Sequence, residues 1–136
     1  MNVTAWQDIP GMEPARLRWR VDTEVLKVEF LGHRGTPEQM VGCWKAVQDL
    51  AIAHRLECIL AVDLMDDEPL TGEQRNLFIR RLFEGGMAGR RWAYVARSVD
   101  RVKHYEATQL DALERGLDVQ VFGSLSEAER WLRFSG

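Results

Sequence analysis

The sequence predicts an α/β domain with a mixed, mostly parallel sheet, an N-terminal β-hairpin and four helices, in the order ββαβαβαβα. Three observations carry this. Two β-patterned runs, "RLRWRV" and "VLKVEFLG", are separated by only "DTE". Three Ser/Thr-x-x-Glu/Gln capping signals mark helix starts. Short apolar runs then alternate with helical periods, the pattern of parallel strands joined by crossover helices.

The elements follow in order. Residues 1–15 hold Ile9-Pro10-Gly11 and Glu13-Pro14 without a sustained period, and are expected as a tail before a domain spanning 16–136. Leu17, Trp19 and Val21 alternate with Arg16, Arg18 and Arg20, a half-buried strand. The connection to the next strand is too short for a crossover, so the pair is antiparallel. Thr36-Pro37-Glu38-Gln39 starts the first helix with a capping box and a proline at the first helical position. Met40, Cys43, Trp44, Val47, Leu50, Ala51 and His54 form its buried face. "CILAVDL" reads as a strand covered on both faces.

Thr71-Gly72-Glu73-Gln74 is the second capping box. Its helix is expected to bury Phe78, Ile79 and Leu82, with Phe83 at the border, and to stop at Gly85-Gly86. "RWAYVAR" is a strand. Ser98 or Asp100 caps the third helix, whose predicted buried stripe is Val99, Val102, Tyr105, Leu110 and Leu113 and which ends at Gly116. "DVQVF" is the last strand. Ser124 and Glu127 open the last helix.

Composition narrows the function classes. The chain has 136 residues, 46% of them apolar, enough for one core. The net charge of −3 gives no global attraction to nucleic acid or to anionic membrane. No apolar run is long enough for a stable bilayer span, and no signal peptide is recognisable. Cys43 and Cys58 match no redox or zinc spacing, so a reduced, cytoplasmic setting is expected.

The stretch "VDLMDDEPLTGEQ" concentrates acids. Asp63, Asp66, Asp67 and Glu68 follow an apolar strand and precede a helix. Acids before a helix are favoured by its dipole. Three adjacent acids do not converge readily on a hard metal, EF-hand spacing is missing, and Asp63 and Asp66 are spaced D-x-x-D. No metal, cofactor or catalytic residue is therefore assigned. Residues 80–104 carry Arg80, Arg81, Arg90, Arg91, Arg97, Arg101 and Lys103 against Glu84 and Asp100. In a parallel sheet Asp63 and Arg97 leave at the same edge, so the acidic and basic loops are expected as neighbours. They either neutralise one another or form a two-signed docking edge. Leu77 falls off the apolar face of its helix and is a candidate contact. Glu106 falls on the predicted stripe of the third helix. Either it reaches an edge or pairs with an arginine, or it lines a ligand pocket with Tyr105 and Gln109. "GGMAG" precedes a strand and is no phosphate cradle. His33, His54 and His104 show no ligand spacing, and no Ser-His-Asp or Cys-His order stands out.

The ending "ALERGLDVQVFGSLSEAERWL", with Gly116, Val119, Val121, Phe122, Ala128, Trp131 and Leu132, resembles the SpoIIAA-like proteins of the STAS group (sulfate transporter and anti-sigma-factor antagonist domains). The resemblance covers residues 16 to 134. It implies a small, non-enzymatic cytoplasmic regulatory module that binds a protein partner, with a homodimer left open. In such modules a switch serine follows a central strand. Here that place holds Asp63, Leu64, Met65, Asp66 and Asp67, with Thr71 the only hydroxyl. The partner surface implied is Asp63, Asp66, Asp67, Glu68, Thr71, Leu77 and Arg97. Relatives are also compared with the CRAL-TRIO lipid-binding fold. That gives the alternative of a carrier or sensor of a lipid or other small apolar ligand, with Tyr105, Glu106 and Gln109 in its pocket.

Overall fold

The computed structural model describes residues 2–68, 70–84 and 89–134, apart from the side chains at 78, 79, 82–84, 99, 104, 107 and 108. The burial expected for Phe78, Ile79, Leu82, Phe83 and Val99, the helix stop at Gly85-Gly86, and His104 lie outside the described residues. The elements are β1 (Val3–Ile9), β2 (Ala15–Asp22), β3 (Val25–Gly32), α1 (Pro37–Ala53), β4 (Cys58–Asp63), α2 (Gly72–Glu84), β5 (Arg91–Val95), α3 (Val99–Glu114), β6 (Asp118–Phe122) and α4 (Leu125–Phe134). The class is α/β on a mixed sheet of six strands, ordered β1-β2-β3-β4-β5-β6.

One more strand is present than the order ββαβαβαβα expects. Residues 3–9, expected as tail, pair antiparallel with β2. The register shifts between Val3 and Gln7. Partial burial consequently recurs at Val3, Trp6 and Ile9 rather than at every second residue. A bulge on an edge strand removes the period-2 signal by which a strand is read.

The hairpin forms as expected. Asp22 pairs with Val25, so the loop is Thr23 and Glu24 alone. Their φ angles are 52° and 61°. A two-residue loop with both positions left-handed matches the right-handed twist of the strands, but it is costly for residues with a Cβ. Glu24→Gly is therefore expected to stabilise the fold by about 1 kcal/mol, after the added unfolded-chain entropy is offset. Urea denaturation checks this: an unchanged or lower midpoint would mean the loop is not strained.

Helix starts are built from local side chains. In α1, Thr36 Oγ1 accepts from Gln39 N at 3.1 Å and Gln39 Oε1 accepts from Thr36 N at 2.8 Å. In α2, Thr71 Oγ1 accepts from Gln74 N at 3.2 Å and Gln74 Oε1 accepts from Thr71 N at 3.0 Å. In α4, Ser124 Oγ accepts from Glu127 N at 3.2 Å. Ser98 holds the cap position of α3 without a side-chain bond.

Strands β3 to β6 are parallel neighbours in sequence order. Right-handed crossovers that all step the same way place their helices on one face. Helices α1 and α3 accordingly share one face, over Leu17, Val28, Phe30, Ile59, Ala61 and Trp92, and α2 contacts both of them. Helix α4 covers the other face through Ala128 and Leu132, against Leu60, Ala93, Val95 and Phe122. The central strand β4 is thus covered on both faces, as its unbroken apolar run requires. Because the strand order never reverses, there is no switch-point crevice. Any enclosed space must lie between sheet and helices.

Helix α3 corrects the predicted stripe. Tyr105 and Ala112 are buried, but Leu110 and Leu113 are 62% and 48% exposed. Gln109 faces the sheet instead. Its Oε1 accepts from Val121 N at 2.8 Å, capping a main-chain donor of the outermost strand. The face at 105, 109 and 112 has the spacing i, i+4, i+7. A polar and a small residue hide it from a count of large apolar side chains.

A candidate ligand site at the carboxyl ends of the parallel strands

Three connections meet at this edge. The first follows β3. Gly32 and Gly35 have φ of 77° and 75°, and a Cβ on Gly32 would lie 2.8 Å from the Pro14 carbonyl oxygen. Glycine is thus needed where the chain turns beneath Pro14, and the turn sets out His33 and Arg34.

The second connection is the acidic loop, which continues beside the end of β3. Leu64 N donates to Phe30 O at 2.8 Å and Asp66 N to Gly32 O at 3.3 Å. Arginines then hold it. Asp67 Oδ1 accepts from the Arg34 main-chain N at 2.8 Å, and the Arg34 guanidinium donates to the Glu68 carbonyl. Arg97 donates to Met65 O at 2.7 Å and pairs with the Asp66 carboxylate. Arg101 donates to Asp67 O at 2.6 Å. Arg97 beside it lowers the Asp66 pKa below its ordinary 3.8. Both side chains of that pair are largely exposed, so the pair shapes the loop more than it stabilises the fold. Acidic and basic connections are therefore neighbours, chiefly as arginine side chains on acidic-loop carbonyls.

The third feature is a buried polar cluster. Asp63 ends β4 at 3% exposure. Its Oδ1 accepts from Met65 N at 2.9 Å, and its Oδ2 accepts a short bond from the Tyr94 hydroxyl. The rings of Tyr94 and Tyr105 meet edge-on with centroids 5.4 Å apart. Burial first, and then the Asp63 charge, hold the Tyr94 hydroxyl well above its ordinary pKa of 10.0. Burial and Asp63 also raise Tyr105, while the charges of Arg34 and Arg101 oppose the rise.

Behind this cluster is a cavity of about 80 Å³. Its apolar walls include Met40, Trp44, Trp92, Ala112, Leu117 and Val119. Asp63, Tyr94, Tyr105, Arg34 and Arg75 also line it, at the carboxyl-end side of the sheet. Arg34 borders a second hollow of about 60 Å³ with Gly35, Pro37, Met40, Asp67, Leu70 and Gln74.

The sequence-predicted residues divide. Tyr105 and Gln109 line the cavity, whereas Glu106 is exposed and does not. Asp63 is buried within the site rather than displayed on a surface. Asp66, Glu68 and Thr71 are exposed, Asp67 and Leu77 half-buried, and Arg97 is turned onto the loop. The basic stretch splits. Arg90 and Arg91 lie at the opposite edge, where Arg91 pairs with Asp118 at 3.1 Å and covers the Trp131 ring at 4.2 Å. Sequence reasoning missed Arg34, Arg75 and Tyr94. Two of these carried a usable signal. Arg34 follows β3 as Asp63 ends β4, and Tyr94 sits two residues past buried Trp92 on the same strand face. Among the described residues no group of three or more His, Cys, Asp or Glu is placed to hold a metal ion. No described helix is long and apolar enough to cross a membrane.

Scans of this chain against protein-family models, curated proteins and solved structures each find no match.

Proposed function

We propose that this protein is a non-enzymatic binding module for a small ligand with an apolar body. The carrying observation is the cavity of about 80 Å³ between the sheet and the helices, whose surface is almost wholly apolar although Arg34, Asp63, Arg75, Tyr94 and Tyr105 are among its lining residues. A mostly apolar lining is usual for a small-molecule site, and this cavity is smaller than most such sites. A dry cavity of about 150 Å³ holds benzene, so this one suits a body of about three or four carbon atoms. A long lipid tail does not fit it. A cytoplasmic location belongs to the same reading. Cys43 and Cys58 are both free and pack on opposite faces of the sheet.

A second reading, the docking module implied by the SpoIIAA-like resemblance, has one observation in its favour. Leu64 is 40% exposed beside the exposed Asp66 and Glu68.

One experiment separates the two. Ala112, 1% exposed and on the cavity wall, is replaced by leucine to fill the space. Wild type, Ala112→Leu and an Asp66→Lys/Leu77→Asp surface variant are titrated with short alcohols, amides and acids, following the Trp44 and Trp92 indole N–H signals by NMR. The expected result is binding by wild type and by the surface variant, with loss in Ala112→Leu. No shift at Trp92 in folded wild type with any fragment would end the ligand reading. Affinity purification with the same proteins tests docking. Partners retained by the surface variant would end that reading.

A further inference from the structure

The larger cavity has almost no polar surface, and a polar atom buried there without a partner is costly. A ligand that carries a polar end must therefore place that end elsewhere. The neighbouring hollow of about 60 Å³ offers the place. Arg34, Met40 and Leu70 line both spaces, so these three side chains stand between them. Met40 is 2% exposed, in the first turn of α1, and Leu70 is half-buried just before the cap of α2. A methionine has three rotatable bonds and adapts its shape to what lies beside it. Together the two spaces approach the volume of about 150 Å³ that holds benzene, so a chain of about six carbon atoms fits where the larger space alone takes three or four.

The hollow differs from the cavity in character, because Arg34, Asp67 and Gln74 are among its walls. The Arg34 guanidinium donates to the Glu68 carbonyl, which leaves most of its five donors for another acceptor. Asp67 Oδ1 accepts from the Arg34 main-chain N at 2.8 Å and lies 3.8 Å from His33 Nδ1. Among the described residues its Oδ2 takes no hydrogen bond. One wall thus offers donors with a positive charge, and another offers an acceptor with a negative charge. An ammonium group would meet Arg34 and a carboxylate would meet Asp67, each facing its own sign. A neutral group that both accepts and donates fits both walls.

Resting on the ligand reading of the larger cavity, we propose that the ligand spans both spaces and is an uncharged aliphatic primary amide of about six carbon atoms. Its chain lies among Trp44, Trp92 and Val119 and passes between Met40 and Leu70. Its amide lies in the hollow, accepting from Arg34 and donating to Asp67.

Butyramide, hexanamide and sodium hexanoate test this by titration into the wild-type protein. The Trp92 indole N–H reports on the larger cavity and the Gly35 main-chain N–H on the hollow. Butyramide is expected to shift Trp92, and hexanamide to shift both signals. Hexanamide is expected to bind about tenfold more tightly than butyramide, the worth of two further buried methylenes. Hexanoate is expected to bind at least about tenfold more weakly than hexanamide, because its charge must be desolvated beside Asp67. Leu70→Trp, which fills the passage, is expected to abolish the Gly35 shift and the gain with chain length, while Trp92 still responds to butyramide. Asp67→Asn keeps an oxygen for the Arg34 N–H and removes the negative charge, so it is expected to tighten hexanoate binding about tenfold. If Leu70→Trp disturbs the fold, Asp67→Asn gives an independent answer. Affinity that stops rising at four carbon atoms, with Gly35 silent, would overturn the spanning ligand and leave the small-ligand reading standing. Hexanoate bound as tightly as hexanamide by wild type, or unmoved by Asp67→Asn, would overturn the uncharged class. A Gly35 shift that survives Leu70→Trp would overturn the passage beside Leu70. A Trp92 signal silent with every compound would overturn both readings.

Discussion

Trp44→Ala is expected to destabilise the protein by about 3–5 kcal/mol, the cost of removing a large aromatic side chain from a packed core. Trp44 is 7% exposed. Its ring lies 4.8 Å from that of Phe30, 5.2 Å from Trp92 and 6.1 Å from Tyr94, measured between centroids. It therefore ties α1 to β3 and β5, on either side of β4, and it is also a wall of the cavity. The vacated space joins the existing cavity, so the variant should accept bodies too large for wild type. Added indole is expected to raise the melting temperature of Trp44→Ala and to leave wild type unchanged. A loss below about 1 kcal/mol, or no indole rescue, would show that Trp44 is neither packed nor adjoining the cavity as described.

Tyr94→Phe is expected to cost about 1–3 kcal/mol at neutral pH, because it removes a donor from a buried carboxylate. Asp63 would keep its bond from Met65 N alone among the bonds described here. The pH dependence has a definite sign. Burial and the nearby Asp63 charge keep Tyr94 protonated in the folded state beyond the ordinary 10.0. In the unfolded chain the hydroxyl ionises near that ordinary value. Above about pH 10 the unfolded state then binds fewer protons than the folded one, so stability falls as pH rises. Tyr94→Phe should lack this part of the fall. Denaturation midpoints for both proteins between pH 8 and 11 check it. Parallel curves would mean that Tyr94 titrates normally.

Much of the architecture was legible because its signals are local. Thr36 with Gln39 and Thr71 with Gln74 are four-residue patterns, and each makes both of its capping bonds. The strands of the parallel sheet stand out as short apolar runs between helical periods. What was lost depends on partners distant in sequence. The first strand lies on an edge with a register shift, so no period survives to mark it. The inward face of α3 is set by a strand main-chain donor that Gln109 reaches, and apolar periodicity selects Leu110 and Leu113 instead.

The site follows the same division. Asp63 and Arg97 can be placed at one edge from strand direction alone. Arg34 and Arg101 bind carbonyls of the acidic loop, and every residue has a carbonyl, so no sequence pattern marks the pairing. Nor does a sequence announce an empty volume. The cavity exists because Ala112 and Val119 are small where the α3 helix and β6 meet the aromatic cluster.

The strictly sequential order of the sheet has a consequence for how the molecule assembles. Each strand hydrogen-bonds to the one synthesised just before it. A chain emerging from its N-terminus can thus extend the sheet one unit at a time, without holding a gap open for a later strand. The antiparallel pairs close over short loops, whereas each parallel pair closes over a whole helical crossover and meets a higher entropic barrier. Only the second layer must wait: Leu60, Ala93 and Val95 stay uncovered until α4, made after β6, folds back across them.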